Sequence, residues 1–196
     1  MKSRRFAITA ALILLSPIVF AQSHDHKATN NAAPTEAQKA FVQLKSLAGT
    51  WAGAASANPP QAEMPSTMQV SLRVTSRGNA LVHEMSGGKT DNLNDTDHPV
   101  TMFYVDGDRL LLTHYCDAGN RPRMVARTSP DGKKVEFDFL DVAGGTQFGH
   151  MHHAVFTIID ANHHTEDWTY MTPGDKPVQA HLDLVRISAV NALEKK

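Results

Sequence analysis

Cysteine is almost absent from this chain. Its single copy, Cys116, excludes an intrachain disulfide framework and any cysteine-rich zinc or iron–sulfur site. An excess of charge of one sign is also missing, since 19 Lys and Arg stand against 20 Asp and Glu. That balance offers nothing to attract nucleic acid or a polybasic membrane contact. No apolar run approaches the roughly 20 residues a membrane-crossing helix requires. Enzyme signatures are lacking too: there is no Gly-x-Ser-x-Gly elbow, phosphate-cradling loop, dinucleotide fingerprint or His-Glu-x-x-His. What the chain has in surplus is histidine, eleven in 196 residues of otherwise ordinary globular composition, 41% hydrophobic and 20% charged.

The N-terminus reads as an export signal. Lys2, Arg4 and Arg5 precede the apolar run Phe6–Leu15, and Val19-Phe20-Ala21 presents short residues where a signal peptidase cuts. Cleavage after Ala21 takes away three basic residues, leaving 175 residues with 16 basic and 20 acidic and a net charge of −4. No cysteine follows the cut to carry a lipid anchor. Ser3-Arg4-Arg5-Phe6 also touches the twin-arginine pattern, with its Phe one place early. Either route predicts a secreted or periplasmic protein. Residues 22–34 are small, polar and patternless, and residues 191–196 form a polar tail, leaving 35–190 as the folded domain.

Within that domain, Pro34-Thr35-Glu36 opens a short helix in which Phe41, Leu44 and Leu47 recur on one face until Gly49. From Thr50 the period becomes two. Met68, Val70, Leu72 and Val74 alternate with Gln69, Ser71, Arg73 and Thr75, and Val135, Phe137 and Phe139 alternate with Lys134, Glu136 and Asp138. Such alternation marks strands with one face in a core and one in water. Further strands fit 50–55, 79–86, 99–105, 109–116, 121–128, 151–160, 164–171 and 178–187, separated by turns such as Asp106-Gly107-Asp108 and Pro173-Gly174-Asp175. About ten strands in an antiparallel meander predict an all-β, up-and-down barrel, which abolishes its own edges by closing. Periodicity alone leaves a sandwich open.

The segment Leu47-Ala48-Gly49-Thr50-Trp51-Ala52-Gly53 resembles the Gly-x-Trp motif that opens the first strand of lipocalins and other calycins. Arg186 resembles the arginine that packs over that tryptophan in the family. The segments Thr113-His114-Tyr115-Cys116, Gly119–Met124 and His150-Met151-His152-His153 are similar to those of uncharacterised secreted lipocalin-like bacterial proteins. The resemblance implies a closed barrel with its short helix plugging one end, and a ligand within; it implies no activity.

Alternation also decides which polar residues are carried inside. Leu81 and Met85 take His83 inward; Leu110 and Leu112 take His114 and Cys116; Ala154 and Phe156 take His152; Trp168 and Tyr170 take His164 and Glu166. Buried without partners, each polar group costs a few kcal/mol, so they need each other or a ligand. Three roles compete. The first is a satisfied hydrogen-bond network. The second is an anchor for a small, largely apolar ligand, oriented by His83, His114, His152 and Glu166 against a wall of Trp168, Tyr170, Phe137 and Phe156. The third is a zinc or copper centre on His83, His114 and His152 with Cys116 or Glu166. A weaker reading makes His164 and Glu166 an acid–base pair.

No cofactor is demanded by the sequence. Gln179-Ala180-His181-Leu182 resembles the stretch that supplies the axial histidine of nitrobindin-type haem barrels, but alternation turns His181 outward and argues against haem. Arg121, Arg123 and Arg127 share a face, either solvated or recognising an anion at the rim. Cleavage after Ala21 also exposes Gln22-Ser23-His24, whose amine and third-position histidine suit square-planar copper or nickel. The expected partner is a small molecule, with no nucleic acid and no membrane anchor.

Overall fold

Thr35 carries the capping box that starts the helix. Its hydroxyl accepts from the Gln38 backbone N–H at 3.2 Å, and the Gln38 side chain accepts from the Thr35 N–H at 2.9 Å. In the computed structural model, which describes residues 33–62, 64–87, 98–129 and 131–187, helix α1 spans Glu36–Ser46. The expected signal peptide (1–21), most of the leader and the tail (191–196) lie outside the described residues. Ten strands follow: β1 Gly49–Asn58, β2 Thr67–Thr75, β3 Ala80–Gly87, β4 Val100–Asp106, β5 Arg109–Tyr115, β6 Arg121–Thr128, β7 Lys134–Ala143, β8 His150–Asp160, β9 His163–Thr172 and β10 Lys176–Arg186.

Each strand pairs antiparallel with its sequence neighbour, and β1 pairs with β10 to close the barrel. The β1–β10 pairing selects the barrel over the sandwich that periodicity alone left open, because ten strands joined in sequence leave no edge once the first meets the last. Helix α1 lies against β2, β4, β5 and β6 and turns Phe41, Leu44 and Leu47 into the barrel end. Above it, Phe103, Phe137 and Phe156 meet edge-on or tilted, at 5.4 to 6.1 Å between ring centres. These buried aromatics fill the middle of the barrel.

Closure depends on Trp51 and Arg186, which face each other across the β1–β10 ladder. Trp51 is fully buried and donates its Nε1–H to the Leu47 carbonyl at 2.8 Å. The Arg186 guanidinium lies 4.0 Å from the indole centre. It also donates to the carbonyls of Ala48 (2.7 Å), Ser46 (3.2 Å) and Ala161 (3.0 Å), tying the helix end and a distant turn to the last strand. Glycine makes room for this. A Cβ on Gly49 would fall 2.3 Å from Arg186 Nη1, and one on Gly53 would fall 1.7 Å from the Asp183 carbonyl oxygen.

Replacing Arg186 by Met keeps much of the apolar cover but leaves three carbonyls unpartnered and removes the cation. We expect a loss of about 2–4 kcal/mol in urea unfolding. A loss below about 0.5 kcal/mol, the scale of an ordinary surface substitution, would show that the arginine does not hold the closure.

Candidate functional site

Strands β3 and β9 face each other across the barrel, and the inward positions of both carry polar groups. Leu81, His83 and Met85 share one face of β3; His164, Glu166 and Trp168 share one face of β9; all are buried. Glu166 lies at the centre of this arrangement. His83 Nε2–H donates to its Oε2 at 2.9 Å, His164 Nε2–H to its Oε1 at 3.0 Å, and the Trp168 indole N–H to Oε2 at 3.0 Å. Burial alone would raise the Glu166 pKa, but the imidazoles of His83 and His164 outweigh it and hold the carboxyl well below the usual carboxylate range. Nδ1 of both His83 and His164 is buried without a hydrogen-bond partner among the described residues. The far face of His164 stands edge-on to Trp51, 4.3 Å between ring centres, so the network rests on the closing tryptophan.

A second polar pair lies beside the first. His83 pairs with Thr101 of β4, and Thr101 pairs with His114 of β5, placing the three in one inward row. Thr101 Oγ1 and His114 Nδ1 are hydrogen-bonded at 2.8 Å. Burial, and then the proximity of His83, lowers the His114 pKa to about 3, so this imidazole is neutral at physiological pH. The rings of His83 and His114 sit 5.6 and 5.7 Å from the Trp168 ring, which covers the network on the side away from the helix.

The expected site residues thus divide. His83, His114, Glu166 and Trp168 come together inside the barrel. Phe137 and Phe156 belong to the packed aromatic middle with Phe103, with no exposed surface to offer a ligand. Tyr170 is half-buried at the end opposite the helix, its hydroxyl donating to the Phe148 carbonyl at 2.7 Å. His152 is separated from the inner cluster. A bulge in β8 leaves it without a Cα partner between Met151 and His153, and it stacks on Phe139 at 4.8 Å instead. The four proposed metal ligands His83, His114, His152 and Cys116 are accordingly not gathered. Among the described residues, the group of three or more donors close enough for one ion is Glu136, Asp138 and His153. Those lie on the outer face, where Arg127 already pairs with both carboxylates. Cys116 is partly buried, and burial pushes its thiol pKa up, away from the reactive thiolate.

The remaining alternatives are also placed. His164 and Glu166 have no exposed surface, and both Glu166 oxygens are engaged by N–H donors. His181 projects outward and bonds Asp167 at 2.6 Å, as alternation requires. Arg123 pairs with Asp141 on the outer face, as Arg127 pairs with Glu136 and Asp138. Residues that the sequence pattern did not single out are Thr101, which looks like any strand threonine, and Asn120. The latter is buried and donates through Nδ2 to the carbonyls of Gly145 (2.9 Å) and Gly149 (2.7 Å), pinning the β7–β8 loop. Its position inside a Gly-Asn turn was legible only as a turn signal.

Two outcomes follow. Glu166→Gln replaces one acceptor oxygen by an NH₂ that faces N–H donors, and the variant should lose about 3 kcal/mol of stability. An unchanged denaturation midpoint would contradict the three-donor arrangement. The second concerns acid. Because His114 binds its proton more weakly folded than unfolded, its contribution is complete above about pH 6.5 and declines as pH falls toward 3. The Glu166 contribution, lowered in pKa, declines only below about pH 4.3. Stability should therefore fall by about 2 kcal/mol between pH 6.5 and 4.5 in the native protein. A His114→Gln variant should flatten that interval and keep the steeper loss below it.

No known family matches this chain, and no curated protein does. Solved structures resemble it. One is a protein of unknown function from the DUF3598 family of Nostoc punctiforme, with a TM-score of 0.50 and 13% identity, covering 74% of this chain. The match takes in 48% of that protein, so the present chain spans about half its length. Another is Rv2717c from M. tuberculosis, with a TM-score of 0.49, 15% identity and coverage of 76% of this chain and 98% of that one. At 13% identity the likeness to the first of these concerns the fold alone.

Proposed function

We propose that this chain is an exported small-molecule-binding barrel whose ligand, largely apolar, enters at the end opposite helix α1. The observation that carries this reading is the unequal burial of the two ends. Near the helix, inward residues such as Trp51, Leu72, Leu81, Leu110 and Leu184 are solvent-excluded. At the other end, Ala55, Met68, Tyr170, Val178 and Ala180 also face inward but are only partly buried. Ala180 pairs with Trp168 and with Ala57, so small side chains flank the indole that covers the polar network. A mostly apolar lining over a few fixed polar groups is the usual composition of a ligand pocket. Trp168 and His114, the latter neutral, provide the floor.

Glu166 serves this function indirectly, by locking the indole through its N–H. An acid–base role is not supported, since the carboxylate is enclosed. Export rests on the signal-like N-terminus and is part of the same proposal.

The test uses N-phenyl-1-naphthylamine as an apolar probe, with native mass spectrometry of gently purified protein for retained molecules. We expect 1:1 probe binding with energy transfer from tryptophan. Ala180→Trp should fill the open end and weaken binding by at least about tenfold, with an unchanged melting temperature showing that the fold is intact. A protein that binds no probe and retains no molecule, or an Ala180→Trp variant with native affinity, would overturn the proposal.

A further inference from the structure

Strands β7 and β8 stop pairing beyond Asp138 and His153, and both are irregular just there. In β7, Leu140 is an extra residue opposite the Arg123/Met124 step; in β8, His152 is the extra residue. Bulges re-aim side chains, and these two converge on one cluster. His152 stacks on Phe139 with ring centres 4.8 Å apart, and His150 packs against the same ring at 5.0 Å. His150 Nε2 and His152 Nδ1 then face each other at 3.2 Å. Two nitrogens bound to one tetrahedral zinc ion at 2.0–2.1 Å lie roughly 3.3 Å apart, so the pair already has the bite of a chelate.

We propose that His150 and His152 are a two-imidazole site for a zinc-class divalent ion at the open end of the barrel, with its other coordination positions facing outward. The metal-free pair shares one proton between the facing nitrogens. On binding, His150 coordinates through Nε2 and carries its proton on Nδ1, while His152 coordinates through Nδ1 and keeps its proton on Nε2. Imidazole nitrogen selects zinc and its neighbours over calcium or magnesium.

The surroundings hold this geometry. Asn120 grips the Gly149 carbonyl and Tyr170 the Phe148 carbonyl, both at 2.7 Å, fixing the chain immediately before His150. The outer-face group Glu136, Asp138 and His153 is a contrasting case, because the Arg127 cation already occupies it. The site needs no organic ligand in the barrel, so it stands or falls separately from the proposed function.

The experiment titrates the full chain with Zn²⁺ by calorimetry and follows the histidine ring ¹⁵N resonances. Micromolar 1:1 binding is expected, with shifts at His150 Nε2 and His152 Nδ1. His150→Ala and His152→Ala should each weaken binding beyond the roughly 10–100-fold that outer partners of a metal are worth. His153→Ala should leave it within about threefold, the ordinary scatter of a rim substitution. The ring resonances of the unaltered protein decide the matter even if a variant folds poorly. Binding that moves other histidines, that is lost with His153→Ala alone, or that is absent at millimolar Zn²⁺ would overturn the assignment.

Discussion

A carboxylate withdrawn from water into the middle of a barrel costs several kcal/mol unless strong donors surround it. Glu166 meets that demand with two imidazole N–H groups and an indole N–H, drawn from β3 and β9. The consequences extend through the molecule. His83 is held against Phe103 and Phe156, His164 against Trp51, and Trp168 across the top of the network. Because Trp51 also carries the Arg186 cation, the buried charge and the closure of the sheet are neighbours in one stack. Losing one partner would leave the rest buried without compensation, which is why such networks specify a single arrangement.

The same network divides the barrel in two. On the helix side it is continuous with a packed aromatic core. On the other side Trp168 presents an apolar face to partly exposed alanines and methionines. The histidines consequently have different roles according to height. His83 and His164 serve the buried carboxylate, His114 remains neutral beside Thr101, and His150 and His152 stand near the open end, where they meet solvent and Phe139. His163, His181 and His153 lie on the outer face, each beside a carboxylate.

Much of this was legible from periodicity. The alternation along β3 and β9 placed His83, His164 and Glu166 inside because a residue two positions from a core residue shares its face. The outward turn of His181 followed from the same rule. His152 is the extra residue of the β8 bulge and stacks on Phe139, apart from His83 and His114, a displacement that a two-residue period does not report. Thr101 and Asn120 carried no signal, since a threonine in a strand and an asparagine in a turn are what those elements ordinarily contain. Phe137 and Phe156 were correctly turned inward, and their height puts them in the packed aromatic middle with Phe103.

Composition and spacing settled the class of fold, the number of strands, the helix face and the inward parity of most side chains. These are properties of a single strand or helix, governed by dihedral preference and the separation of apolar from polar faces. Which strands close the ring, how high each side chain sits, and which polar groups meet are relations between distant segments. They depend on register, and register is fixed by packing across the barrel. Only the folded chain shows that three donors converge on Glu166 while Cys116 and His152 stay apart from His83 and His114.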